Sequence, residues 1–285
     1  MYRHEFFDLW VHEDDELAAL LESAITGRET LHQWPLSAVE RLTTADGRTW
    51  IYKTQYGPSV EAEFYAQARS DLLVPARLVR QDGGHVIMLF EYVDAPLIEA
   101  LALDTDEIVR IGREVVAQIG RIEGDLPHWL DVGSAMKWRF LVAHTCDTLR
   151  SLVDAGKFGR FSSQQIDHLR DIGLDDAVCA AIDAGRGYVH SDLTADNLFL
   201  LPDGGYRLID WSRPILGPTD LDLASLLESM QIDPLRYVDR SIVTIMLLLQ
   251  IHWVAQCAVK WIPGGGETYD QQIAAWIDRL AGNAG

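Results

Sequence analysis

His190, Asp192, Asn197 and Asp210 are the residues whose types and spacing most directly suggest chemistry. His190-x-Asp192, four further residues and Asn197 fit H-x-D-x-x-x-x-N, the pattern of a phosphoryl-transfer loop. In that chemistry Asp192 faces the attacking hydroxyl and takes its proton. Asn197 and Asp210 supply two hard oxygen donors. Mg²⁺ needs little more from a protein, since phosphate oxygens and water complete its octahedron.

Those donors must be held close together, and the intervening sequence does this. An apolar run, Leu198 to Leu201, is followed by Pro202-Asp-Gly-Gly205 and then by Tyr206-Arg-Leu-Ile209. This reads as strand, tight turn, strand, with Asp210 capping the second strand. The plainer alternative is that Asp192 and Asn197 only cap a turn. That alternative does not account for the hairpin or for the Ile209-Asp210-Trp211 that closes it.

The segment resembles the aminoglycoside phosphotransferase and choline kinase family, which shares the protein-kinase-like fold. The family wording is His-Gly-Asp, four residues, Asn, then Ile-Asp-Trp or Ile-Asp-Phe. Here Ser191 holds the second position, where protein kinases favour Arg. Trp211 stands where they have Phe-Gly, and no Ala-Pro-Glu follows. These departures point to a small-molecule acceptor rather than a protein. Gly217-Pro-Thr-Asp-Leu-Asp-Leu-Ala224 is similar to the family's Gly-x-x-x-x-Asp-Leu-Ala. The resemblance makes Asp222 a structural acid bracing the catalytic loop, and His190 structural rather than a base. Asp222 also reads as an N-cap for the helix through Glu228; the two readings are compatible.

Trp50-Ile-Tyr-Lys53 ends the second strand of a hairpin that begins at Leu36 and turns at Asp46-Gly47. A lysine within an apolar strand is costly unless it meets a partner. An edge lysine facing solvent is the bland reading. The kinase template instead places Lys53 on the α- and β-phosphates, held by a helix glutamate. Glu63, which precedes Phe64-Tyr65, is the first choice for that partner, and Glu61 is the second. The loop near Trp34-Pro-Leu-Ser37 lacks glycine, and Ser37 is its candidate phosphate contact. Phe90 to Val93 lie where a hinge would offer backbone bonds to a purine, with Glu91 and Val93 as the contacts. The resemblance further implies that the C-terminal helices wall an acceptor pocket. Glu228, Glu267 and Asp270 are its candidate acids, although each alone reads as a solvated surface residue.

The chain has 285 residues, 48% hydrophobic and 24% charged, with a formal net charge of −19. This is the composition of a soluble globular protein. The negative field disfavours nucleic acid and anionic membranes and favours cationic ligands. Cys146, Cys179 and Cys257 are odd in number and widely spaced, so they suggest free thiols in a reducing cytoplasm. The amino terminus lacks the apolar core of a signal peptide. Residues 241–262 approach membrane-span length, but Gln250, His252, Gln256 and Lys260 interrupt them, and a buried helix is the better reading.

A β-rich first third precedes a mainly helical remainder, an α+β layout. Helices are predicted near 13–24, 59–73, 105–122, 134–155, 163–172 and 175–184, and again after 220. With the resemblance, this implies a two-lobed protein-kinase-like fold. Residues 1–93 form the nucleotide-binding lobe and 94–285 the catalytic and acceptor-binding lobe. The expected function is a Mg²⁺-dependent small-molecule kinase that transfers the γ-phosphoryl group of ATP or GTP to a hydroxyl of an aminoglycoside-like, sugar or amino-alcohol acceptor. A non-catalytic nucleotide-binding scaffold is the alternative, but such proteins usually lose the lysine, the base or the metal aspartate.

Overall fold

The computed structural model describes residues 1–282. The chain begins with β1 (Tyr2–Arg3), β2 (Trp10–Val11), α1 (Asp14–Leu21), β3 (Ile25–Trp34), β4 (Ser37–Thr44), β5 (Thr49–Tyr56), α2 (Glu61–Gln67), β6 (Ala76–Asp82) and β7 (His85–Glu91). It continues with α3 (Thr105–Ile119), β8 (Leu130–Asp131), α4 (Ala135–Asp154), α5 (Ser163–Gly173), α6 (Asp176–Ala184), β9 (Arg186–Val189), β10 (Leu198–Leu200) and β11 (Tyr206–Leu208). The last elements are β12 (Ile215–Pro218), α7 (Asp220–Ser229), α8 (Arg240–Gln256) and α9 (Gly266–Leu280). Two compact units are interleaved in sequence. One takes Met1–Leu101, Ile122–Trp129 and Asp196–Arg213; the other takes Ala102–Arg121, Leu130–Ala195 and the described residues from Pro214. The main sheet ends at Glu91, the first unit runs on to Leu101, and the hairpin at 196–213 returns to it.

The first unit is built on an antiparallel sheet in the order β3-β4-β5-β7-β6. Successive side chains on a strand face opposite sides. Leu42, Tyr52, Ile87 and Leu89 accordingly pack with Leu17 and Leu21 of α1. Val86, Met88 and Phe90 pack on the other face with Ala62 of α2 and with Ile51. Each such burial contributes roughly 1.5–3 kcal/mol. Lys53 and Gln55 follow Ile51 at the two-residue period, so they share the face that meets α2. The α2 helix is shorter than the 59–73 predicted, because Ala68 turns to extended backbone at φ −69°, ψ 143°. The mostly exposed β6 escapes a reading that looks for buried alternation. The β10–β11 hairpin pairs Leu198 with Leu208 and Leu200 with Tyr206. It is tied to the unit by the Leu208 N–H donating to the Leu72 carbonyl at 2.9 Å and the Leu200 N–H to that of Pro96 at 3.1 Å.

The second unit is helical around a small sheet in the order β8-β12-β9. Those strands have two to four residues, too few for alternation to show in sequence. Ile108, Ile111, Val115 and Ile119 form the buried stripe of α3. Gly112 lets α3 approach α7, since a Cβ there would lie 2.7 Å from Leu223 Cδ1 and 3.0 Å from Leu226 Cδ2. Residues Arg240–Trp261 form one helical stretch apolar enough to cross a membrane, but 78% of its apolar window is buried inside the protein. That is a core helix. It ends in a π-helical turn at Cys257–Trp261.

Candidate active site

In the first unit, β5 presents Lys53 from its α2-facing side, and the residue it meets is Glu61. Lys53 Nζ lies 2.7 Å from Glu61 Oε2 and 3.0 Å from Asp210 Oδ1. The choice of Glu63 is therefore corrected: Glu63 is exposed. It is two residues further along the helix and so about 200° around it, whereas Glu61, Phe64 and Tyr65 share the inward face. Lys53 and Glu61 are 9% and 1% exposed at the side chain, while Asp210 is 39% exposed.

Asp210 follows β11 at a φ of +63°. An L-residue adopts this left-handed backbone only when its surroundings impose it. The Trp211 ring does so here: it is fully buried, stacks on Phe64 at 4.4 Å, and donates from Nε1 to the Leu208 carbonyl at 3.0 Å. The Val60 N–H donates to the Ser212 carbonyl at 3.0 Å, fastening the same stretch to the start of α2. Asn197 enters through the hairpin, where the Ile209 N–H donates to its carbonyl at 3.0 Å. Asn197 and Asp210 are thus presented from opposite strands at the same end of the hairpin.

Two further side chains complete this cluster. The Ser212 hydroxyl lies 2.6 Å from Asp210 Oδ1 and 3.3 Å from Gln55 Oε1, and Gln55 Nε2 donates to Glu61 Oε2 at 3.0 Å. Sequence reasoning missed Gln55, which its two-residue spacing from Lys53 could have revealed. Nothing in the sequence singled out Ser212. Burial alone would lower the Lys53 ammonium, yet the charges of Asp210 and Glu61 hold it above its ordinary value. Burial raises the Glu61 carboxyl more than Lys53 lowers it. For Asp210 burial also pushes upward. The Lys53 and Arg213 charges and the Ser212 and Lys53 hydrogen bonds outweigh it, so its carboxyl sits well below the usual range.

A cation fits this arrangement. Asp210 keeps a partly exposed ionised carboxylate beside an asparagine. One carboxylate and one amide oxygen are a normal protein share for Mg²⁺ bound with phosphate. Among the described residues no group of three or more His, Cys, Asp or Glu could hold a metal unaided. Two buried polar atoms on the same helix face, Glu61 Oε1 and the Tyr65 hydroxyl, have no hydrogen-bond partner in the described chain.

In the second unit, β9 leads into the loop at His190. The Asp222 carboxylate of α7 accepts the His190 N–H at 2.8 Å and the Ser191 N–H at 2.9 Å. The Asp192 N–H donates to His190 Nδ1 at 3.3 Å, and His190 is fully buried. The Ala195 N–H donates to Ser229 Oγ at 3.0 Å, so α7 holds the loop at a second point that the sequence did not signal. Ser191 is left-handed at φ +67°. Burial, with the nearby Asp192 charge adding to it, pushes the Asp222 carboxyl up to about 7 against the two amides that stabilise its ionised form.

The remaining candidates are engaged locally. Ser37 Oγ, at the β3–β4 turn, accepts from Trp34 Nε1 at 3.1 Å. The Glu91 N–H donates to the Pro75 carbonyl at 3.0 Å, and Val93 packs beside the Phe90 cluster. The reading of Asp270 as a solvated acid or acceptor contact is corrected: it is buried and accepts the Gly159 N–H at 2.9 Å and the Arg160 N–H at 3.3 Å. Glu228 is ion-paired with Arg279. Glu267 is 90% exposed and lies 3.9 Å from Arg160.

Comparison with known structures establishes the fold. A thermostable mutant of aminoglycoside phosphotransferase APH(4)-Ia, in a ternary complex with ADP and hygromycin B, superposes with a TM-score of 0.65 at 11% identity, covering 95% of this chain and 98% of that one. Spectinomycin phosphotransferase APH(9)-Ia, in complex with ADP and spectinomycin, gives 0.56 at 14% identity over 96% and 99%. Choline kinase LicA from Streptococcus pneumoniae gives 0.56 at 16% over 94% and 97%. The fold is α+β and protein-kinase-like. No curated protein matches the chain. Residues 41–242 match the family described as the phosphotransferase enzyme family. That span runs from the strand before Lys53 past Asp222, and the chain belongs to this family.

Proposed function

We propose that this phosphotransferase moves the γ-phosphoryl group of ATP to a hydroxyl of a small, amine-bearing acceptor, with GTP as the alternative donor. The observation that carries the reading is the buried Lys53 held by both Glu61 and Asp210. A lysine fixed by two carboxylates is a poor choice for stability alone but a good phosphate clamp. The −19 charge favours a cationic acceptor, and structural relatives are described with hygromycin B, with spectinomycin and as a choline kinase. The acceptor-side acids are Glu228 and Glu267. The protein is assigned to the cytoplasm.

In this reading Lys53 holds the α- and β-phosphate oxygens while Glu61 fixes its ammonium. The Glu91 carbonyl and Val93 N–H hold the purine. Asn197 and Asp210 hold Mg²⁺, which when bound draws charge from the phosphate oxygens. Asp192, five residues before Asn197 in the chain, orients the acceptor hydroxyl and takes its proton. Asp222 and His190 keep that loop in place. Positioning and charge stabilisation supply most of the acceleration. The test is a panel of aminoglycosides, amino alcohols and neutral sugars with Mg-ATP and Mg-GTP, read by nucleoside diphosphate release. Acceptor-dependent release supports the reading. Nucleotide binding without release on any acceptor favours a non-catalytic protein, and no nucleotide binding at all defeats both.

A further inference from the structure

We infer that Ser212 and Gln55 are positioning residues that brace Asp210 and the Lys53–Glu61 pair in one hydrogen-bonded cluster; this rests on the phosphotransferase reading of the site. Glu61 Oε2 lies 2.7 Å from Lys53 Nζ and accepts from Gln55 Nε2 at 3.0 Å. Asp210 Oδ1 lies 2.6 Å from Ser212 Oγ and 3.0 Å from Lys53 Nζ, and Gln55 Oε1 lies 3.3 Å from Ser212 Oγ. Ser212 and Gln55 are 6% and 5% exposed, so water does not readily substitute for either.

Proton counting fixes the direction of each bond in the cluster. Gln55 must face Glu61 with its amide NH₂, because a carboxylate only accepts. Its carbonyl therefore faces Ser212. Lys53 can only donate, so at 3.4 Å it places its proton toward Ser212 Oγ. The single hydroxyl proton then goes to the nearer acceptor, Asp210 Oδ1, so the 3.3 Å approach of Ser212 Oγ to Gln55 Oε1 is a contact and not a hydrogen bond. A hydroxyl-to-carboxylate bond of 2.6 Å is charge-assisted. These bonds engage Oδ1, so Oδ2 is the oxygen that would serve a cation. Ser212 thus fixes the rotation of the metal-holding carboxylate. Gln55 sets the carboxylate that orients the lysine, so the two ends of the phosphate site are set together.

The experiment is calorimetric titration of ATP into the full-length protein over a series of Mg²⁺ concentrations. Ser212→Ala should raise the Mg²⁺ concentration for half-maximal ATP affinity about 10-fold, the scale of one charge-assisted bond. Ser212→Thr, which keeps the hydroxyl, should restore it to within about twofold. Gln55→Leu should weaken ATP affinity at saturating Mg²⁺ by about 10-fold on the same scale. Acceptor KM should not change. If Ser212→Ala melts like wild type and keeps the wild-type Mg²⁺ requirement, the inference is overturned. If Ser212→Ala does not fold, an unchanged ATP affinity in Gln55→Leu overturns it instead. Wild-type protein that binds no ATP with Mg²⁺ overturns the phosphotransferase reading itself, an outcome distinct from the other two.

Discussion

Lys53 Nζ stands closer to Glu61 Oε2, at 2.7 Å, than to Asp210 Oδ1, at 3.0 Å, and the closer partner is the more deeply buried. A carboxylate that is 1% exposed has little alternative to its lysine, whereas one that is 39% exposed is also accessible to a ligand. Glu61 therefore acts as the fixed holder of Lys53, and Asp210 as the partner that can be shared with a cation.

Glu61→Gln should lower ATP affinity by about tenfold or more, since a buried charged hydrogen bond is worth roughly 1.5–3 kcal/mol. Glu63→Gln, on the exposed face of α2, should leave it within about twofold. Lys53→Met should be worse than either, and adding Glu61→Gln to it should cost little more. Isothermal titration of the four proteins checks this. Equal effects of the two glutamate variants would remove the Glu61 assignment.

Asp192→Asn keeps the size of the side chain but removes its basicity. Turnover should fall by about 10²–10⁴, the usual scale for losing a general base, while ATP affinity is retained. Steady-state kinetics beside calorimetry separates the two quantities. A variant that turns over at the wild-type rate rules Asp192 out as base.

Asp222 receives two amides from the loop that carries Asp192. Asp222→Asn must set an NH₂ against one of those N–H groups, and Asp222→Ala leaves both without this acceptor. Stability should fall by about 1–3 kcal/mol for Asn and by more for Ala, the range for buried donors deprived of a partner. Urea unfolding measures it. A change under about 0.5 kcal/mol in both, the level of an ordinary surface substitution, would show that α7 does not hold the loop.

How far the chain reveals this site can be seen residue by residue. His190, Asp192, Asn197, Asp210 and Asp222 stand at motif spacings, and the hairpin between two of them is written in its turn residues. Lys53 is visible because a lysine in an apolar strand needs a reason. The Lys53 partner was ambiguous because both glutamates lie in the first turn of α2; only the position of Phe64 and Tyr65 on the inward face selects Glu61. Ser212 and Ser229 leave no trace, since a serine near a loop is common and its value here comes from where the fold places one oxygen. Asp270 misled for the opposite reason. Acidic residues on a C-terminal helix are usually solvated, and nothing local announces that a loop 110 residues earlier will use this carboxylate.

His252 gives the fold its own pH dependence. It is buried on α8, and Thr145 Oγ1 lies 2.9 Å from its Nδ1. The Thr145 hydroxyl donates to the Leu141 carbonyl at 2.8 Å, so it accepts from the histidine, and the neutral ring carries its proton on Nδ1. Burial, reinforced by the neighbouring His144 and Lys260 charges, lowers the histidine to about 4. In the unfolded chain the ring titrates near 6.5. The unfolded state therefore takes up the proton first, and this contribution to stability is lost as pH falls from about 6.5 toward 4. Over the whole window the linkage amounts to about 3 kcal/mol. His252→Asn, whose amide can still donate to Thr145, should be less stable than wild type at pH 7 but lose less stability on acidification. Urea unfolding of both proteins at pH 7, 6 and 5 compares the slopes. Parallel slopes would show that His252 does not govern this acid response.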